Sequence, residues 1–400
     1  MTKKVKKTLN ESDLQLINYN PSLLHLFASF LKLGLTSFGG PAMVAYIRKM
    51  AVEQKNWLDD GSFRQGVAIC QTIPGATAMQ TAAYVGLRLR EIRGAAASFI
   101  GFGLPAFCLM ITLSALYVRT HNLPIVASVF NGLQAIIVAI VANATVSFAK
   151  SYLKDWKNLT TSLIAAIMFW WRINPISVIL LAGLLGLVLK SKQSHKMPTS
   201  PITKKFYSNR NLLLIVSGAM FLFYLFFLVN PRLFKLAALM IRIDLFAFGG
   251  GFASIPFMFH EIVEVRSWLD SSTFLNGIAL GQVTPGPIVI TATFIGYLLH
   301  GPLGGLVATT SVFLPSFLIL VAVVPYFDRL RGSRYFSEVM SGILSSFVGL
   351  LLSVTIRFAS NVPWDLPRII LGVAAFVALI LRVDILWIVL IGTIVSILVL

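Results

Sequence analysis

The chain has 400 residues, 57% hydrophobic and 12% charged, with a mean hydropathy of +0.82. Soluble domains are closer to half apolar and a quarter charged, so an ordinary soluble enzyme or binding module is excluded and helices within a bilayer are expected. The formal net charge is +18, but Lys and Arg cluster in short connectors, as the positive-inside bias requires; the charge is read as topology, not as a nucleic-acid surface.

In chain order, the basic and then polar residues 1–21 are expected to form a cytoplasmic tail, with no removable signal peptide. The apolar run "LGLTSFGGPAMVAYI" (33–47) comes next, and it is interrupted by Phe38, Gly39, Gly40 and Pro41. A second interruption falls at Pro74-Gly75. The stretches 101–117 and 135–149 carry no formal charge and approach the ~20-residue length of a bilayer span. Cys70 and Cys108 fall in apolar helical stretches and read as small core residues. A short pair of helices is expected around Arg172 to Pro175. The linker 190–210 holds six Lys/Arg, two Pro and no acid, and is placed with the N-terminus in the cytoplasm.

The uncharged stretch 212–229 has no counterpart in the first half, but residues 232–400 repeat that half. Phe38-Gly39-Gly40 returns as Phe248-Gly249-Gly250, and Trp57-Leu58-Asp59 as Trp268-Leu269-Asp270. Phe63, Gly66, Gln71, Pro74-Gly75, Gly86, Gly94 and Pro105 match Phe274, Gly277, Gln282, Pro285-Gly286, Gly296, Gly304 and Pro315, at a constant offset of 210 or 211. The chain therefore divides into a tail (1–21), a first repeat (22–190), a linker with one orientation-reversing helix (191–231) and a second repeat (232–400). Arg88, Arg90 and Arg93 face an almost uncharged connector in the second copy, and one helix later the bias reverses, with Arg329, Arg331 and Arg334 against Arg119 alone. That is the signature of an inverted-topology repeat. The expected fold is an all-α polytopic membrane protein of two inverted repeats with discontinuous helices, about 13 membrane helices arranged as six, one and six.

Broken backbone exposed to lipid strands amides at several kcal/mol each, so the interruptions are expected to line a wet cavity. Helices restarting at Pro41 and Pro287, and less favourably after Gly75 and Gly251, would present free N–H groups, each worth ~0.3–2 kcal/mol toward an anion. The candidate substrate site therefore comprises Gly39, Gly40, Pro41, Pro74, Gly75, Gly249, Gly250, Gly251, Pro285, Gly286 and Pro287. To these are added the matched cations Lys32 and Arg242, the neutral polar residues Gln71, Thr77, Gln282 and Thr284, and the flanking Phe38 and Phe248, which read first as packing residues. His260, Glu261 and Asp244 are the candidates for carrying a coupling proton, with His260 the most easily titrated near neutral pH. Asp59 and Asp270 read as helix caps.

These motifs resemble the chromate ion transporter family in its long two-domain form. The resemblance rests on the two copies of Phe-Gly-Gly…Trp-Leu-Asp…Gln…Pro-Gly, and in the first half on "FLKLGLTSFGGPAMVAYI" and "QTIPGATA". It implies a carrier in a prokaryotic inner membrane that exports chromate, a tetrahedral dianion shaped like sulfate, driven by the proton-motive force and conferring chromate resistance. Gly251 stands where the first half has Pro41, and Pro287 where it has Ala76, which leaves sulfate or another oxyanion open as substrate. A passive anion channel is the rival. A membrane enzyme is disfavoured: there is no HExxH, Cys/His cluster or Gly-rich loop after a strand. No metal or cofactor is expected; the partners are a small oxyanion and the bilayer, with a homodimer left open.

Overall fold

The computed structural model describes residues 21–38, 42–189, 217–218, 230–327 and 333–400. The N-terminal tail, Gly39, Gly40, Pro41, the basic linker and nearly all of 212–229 lie outside the described residues. The first half contains α1 (Leu23–Thr36), α2 (Ala42–Arg48) running into a π-helical turn (Lys49–Gln54), α3 (Asp60–Thr72), α4 (Thr77–Thr120), α5 (Pro124–Tyr152), α6 (Trp156–Trp170) and α7 (Pro175–Leu189). The second repeats the order: α8 (Pro231–Leu245), α9 (Ser254–Met258) between a 3-10 turn (Gly251–Ala253) and a π-helical turn (Phe259–Val265), α10 (Ser271–Val283), α11 (Thr291–Val323), α12 (Arg334–Asn361), α13 (Leu366–Ile380) and α14 (Ile385–Val399). Among the described residues there is no β-strand.

The interrupted helices do not run straight through; each break is a reversal. The Trp57 ring, beyond α2, stacks edge-on against His25 at the head of α1, 5.8 Å between centroids. Tyr84 Oη donates to Ser62 O at 3.2 Å, closing α3 against the start of α4. The second half does the same: Gly277 of α10 lies against the ring of Phe294, and Arg242 of α8 reaches Glu261 at 3.6 Å. α4 and α11 themselves turn back, at Arg90-Glu91 and at His300-Gly301. A Cβ on Gly86 would sit 2.1 Å from Gly94 O, and one on Gly296 2.2 Å from Gly304 O, whereas an unbroken helix would separate such residues by ~12 Å. Each half is therefore two helical hairpins, then two long helices (92–120 and α5; 302–323 and α12), then a short hairpin (α6–α7; α13–α14). Arg90 Nε donates to Pro21 O at 2.8 Å, so the first two hairpins and the long arm 92–120 all begin at one face, called here the first face.

The second half starts from the opposite face. Tyr117, at the far end of the long arm 92–120, meets Asn276 and Phe294 near the head of the second-half hairpins. Reciprocally Phe327, at the far end of the equivalent helix, packs with Tyr84 and Leu87 at the first face. Matched residues meet where the pseudo-twofold axis passes: Thr145 Oγ1 and Thr355 Oγ1 are 3.2 Å apart. The copies also exchange their last hairpins. α6 and α7 pack on α12, and α13 and α14 pack on α5, at seams where Gly349 and Gly342 touch the backbone of Ser162 and Ala182. Small residues allow this close approach between membrane helices.

Asp59 and Asp270 cap α3 and α10 in surface turns, accepting the amides of Ser62 at 2.8 Å and Thr273 at 2.9 Å. Burial pushes both carboxyls up, but the bonds from Ser62 and Thr273 outweigh it and hold them below the usual carboxylate range. A group so depressed stabilises the fold above its unfolded pKa, and the contribution fades as the pH falls through the carboxylate range. Asp59→Ala and Asp270→Ala should each cost about 1 kcal/mol, read as a lower melting temperature at neutral pH that converges on wild type in acid.

Candidate functional site

The second reversal of each half is built to stop a helix without leaving the chain in lipid. α3 ends at Ile73, whose φ of -90 and ψ of 154 turn the chain out of the helix. Gly75 comes two residues later at a φ of +117, a left-handed conformation open to glycine and costly for other residues. Its amide donates to Ala247 O at 2.9 Å, and the matched Gly286, at a φ of +121, donates to Ser37 O at 3.1 Å. Each half's second break is thus pinned to the other half's first break. This reciprocal pair brings all the described interruptions together at the middle of the molecule.

A cavity of about 600 Å³ runs from the first face down to that point. Its floor is made by Gly249, Gly250, Gly251 and Pro287 of the second half and by Gln71, Thr77 and Ala78 of the first. Gly250 lies so close to Thr77 that a Cβ there would be 3.0 Å from Thr77 Oγ1. Three helical segments start here, at Thr77, Gly251 and Ile288, and none has a side-chain cap. Most helices that start at the two faces are treated differently: Ser22, Asp59, Asn230, Asp270, Asp365 and Asp384 cap their own, while α5 and α6 start without a side-chain cap. Uncapped starts keep donor groups and positive dipole ends for a ligand. Higher up, Phe63, Ser147, Phe148, Ser151 and Tyr152 form the walls. At the mouth stand Arg48 and Arg64, which share Asp60: Arg48 Nε and Arg64 Nε each lie 2.7 Å from one of its oxygens. Arg48 also pairs with Glu53 at 2.6 Å, so the entrance holds two arginines balanced by two carboxylates; the floor is neutral and rich in amide donors, and suited to a small anion.

Of the residues singled out from the sequence, Gln71, Thr77, Gly249, Gly250, Gly251 and Pro287 line this cavity. Pro74, Gly75, Thr284, Pro285 and Gly286 form the pinned breaks beside it, and Thr284 is 2% exposed. Gln282, matched to Gln71, is buried with its Nε2 unpartnered. Phe38 and Phe248 are partly buried, and Phe248 packs on the core. Lys32 and Arg242 are not among the lining residues; Arg242 turns to Glu261. Gly39, Gly40 and Pro41 lie outside the described residues. Arg48, Arg64, Phe63 and Tyr152 were missed. The signal for the arginines was an asymmetry: they align with Met258 and Leu275 in the second copy, so a repeat-to-repeat comparison of charge would have found them.

The three acid–base candidates part company. Glu261 is held between Arg242 and Arg266. His260 Nδ1 lies 3.0 Å from Glu264 Oε2, and Glu264 in turn pairs with Arg357. Asp244 is buried on Ser316, whose amide and hydroxyl donate to its Oδ2 at 2.8 and 2.7 Å. Toward the second face the equivalent groove is filled. Phe274 and Phe358, the counterparts of Phe63 and Phe148, pack with Phe259 at centroid distances of 5.1 to 6.2 Å. Arg357 locks above them, its Nη2 donating to Phe169 O and Trp170 O at the end of α6.

The chain matches the family model described as Chromate transporter twice, over residues 24–187 and 234–397. An uncharacterized transporter of Methanocaldococcus jannaschii is 43% identical over 386 residues, 95% of each chain. A protein of Cupriavidus metallidurans named chromate transport protein is 30% identical, covering 90% of this chain and 88% of that one. A probable chromate transport protein of Synechococcus elongatus is 29% identical over 92% of this chain and 93% of its own. No solved structure matches.

Proposed function

Because the chain belongs to the chromate transporter family, we propose that it is a secondary carrier that exports chromate across a prokaryotic inner membrane, coupled to the proton-motive force, and so confers chromate resistance. The observation that carries this reading is the cavity floor, where uncapped helix starts from both halves meet beneath two arginines. A tetrahedral dianion has enough oxygens to accept several such donors at once. The same donors suit sulfate, which is the natural competitor.

The first face is assigned to the cytoplasm on the positive-inside bias: Arg88, Arg90, Arg93, Lys150 and Lys154 gather there. The cavity then opens inward, as an exporter waiting for its load requires. The filled aromatic groove on the far side favours a carrier over a channel, since a channel needs both ends wet at once. The residue boundaries 22–190 and 232–400 are proposed for the two repeats, with 191–231 as the connector that inverts the second.

Chromate uptake into inside-out vesicles tests the reading. Uptake that saturates, is competed by sulfate and changes rate with an imposed pH gradient is expected. Non-saturating flux that ignores the gradient would replace the carrier with a channel.

A further inference from the structure

Asp244 lies at the end of α8, beside the reversal at 246–250, and is 0% exposed. Its Oδ2 takes both donors of Ser316, while its Oδ1 has no partner. The same Ser316 Oγ accepts the amide of Ala76 at 3.0 Å, the residue before Thr77 on the cavity floor. The carboxyl is therefore two hydrogen bonds from the helix start offered to the anion. Gln80 Nε2 also donates to Ser316 O, at 3.3 Å, and Gln80 Oε1 is a buried acceptor without a donor.

Among the described residues no charge is placed to balance Asp244. The elements against it, 74–80, 246–250, α9 and the arm 302–323, contain no ionisable side chain. On its own helix, Arg242 is turned to Glu261 at 3.6 Å. The first half has nothing like it: Gly34 and Ala106 occupy the positions matched to Asp244 and Ser316, and a Cβ on Gly34 would already strike Phe102 O at 2.4 Å. The acid is a feature of one copy only and serves no symmetric packing need.

An unpaired buried carboxylate is costly, and a dianion arriving at Thr77 adds repulsion across a low-dielectric gap. A proton on Oδ1 removes both penalties, and Gln80 Oε1 is an acceptor in the same cluster. We propose that Asp244 is a proton-binding site linked to the anion site, so that an oxyanion settling on the cavity floor brings a proton onto this carboxyl, with Ser316 as the hydrogen-bonded connection. The proposal rests on the carrier reading and selects one acid from the three candidates. Linkage is reciprocal: anion affinity rises as the pH falls.

Calorimetric titration of the purified full chain with chromate, and in parallel with sulfate, between pH 5 and 9 in buffers of different ionisation heat reads the proton directly. Sulfate takes up no proton of its own in that range. An uptake approaching one proton per sulfate is expected, with affinity weakening by up to about tenfold per pH unit on the alkaline side; with chromate, wild type should exceed Asp244→Asn by the same proton. Asp244→Asn should bind both anions with a flat sulfate profile. Uptake that Asp244→Asn retains, or wild type that binds anion with no proton at any pH, overturns the proposal. Should Asp244→Asn fail to fold, the wild-type proton count still decides. Absence of anion binding in wild type would instead overturn the carrier reading itself.

Discussion

Gly75→Ala will accumulate poorly and will not transport. At a φ of +117 a Cβ costs on the order of 1–3 kcal/mol in backbone strain alone. The new carbon would also sit 2.0 Å from Ser316 Oγ and 2.9 Å from Gln80 Nε2. Ser316 cannot step aside freely, because its hydroxyl joins Asp244 to the Ala76 amide. Breaking that joint strands buried polar groups at about 1–3 kcal/mol each. The sum is a large part of the ~5–15 kcal/mol that holds a folded protein together. Gly301→Ala is the matching control: its φ is +63 but nothing lies within 4 Å of the added carbon, so a loss of no more than ~1 kcal/mol is expected. The readouts are yield of monodisperse protein, melting temperature in detergent and chromate uptake. Wild-type behaviour of Gly75→Ala would show that the break is not held as described.

Arg48→Gln and Arg64→Gln should each raise the half-saturating chromate concentration about five- to tenfold, and the double variant by more, with little change in maximal rate. A charged hydrogen bond to an anion contributes ~1.5–3 kcal/mol. That figure is discounted here, because the side chains are 38% and 68% exposed and solvent screens exposed pairs. About 1 kcal/mol each remains, and 1.4 kcal/mol is tenfold. Asp60→Asn provides the opposite sign. It releases Arg64 and leaves Arg48 paired with Glu53 alone, and should lower the half-saturating concentration. Unchanged saturation in all three variants would remove the mouth from the anion's path.

Much of this architecture was legible because the same side chains recur at one offset. The matched Phe-Gly-Gly and Pro-Gly segments fixed the two copies, and the alternation of Arg88 to Arg93 with the uncharged 298–301 fixed their opposition. A one-dimensional pattern does not carry direction. An apolar stretch reads the same whether it continues past Gly39 or doubles back; the contacts of Trp57 with His25 and Phe30 distinguish the two. The same ambiguity applies to Lys32 and Arg242. Their place along the helix was readable, but the side of the helix they occupy depends on neighbours contributed by the other half. Arg48 and Arg64 were hidden because basic residues near connectors look like ordinary topology signals. Gln71 and Thr77 stood out because polar residues beside a broken helix have few other uses.

The exchanged terminal hairpins carry a consequence for biogenesis. When α6 and α7 leave the ribosome, the helix that seats them, α12, has not been synthesised. The first half therefore waits in the bilayer with an uncovered face until the second half arrives. Truncation before α13 would strip α5 of its cover, so quality control should degrade such a product as a whole and not leave a stable first half behind.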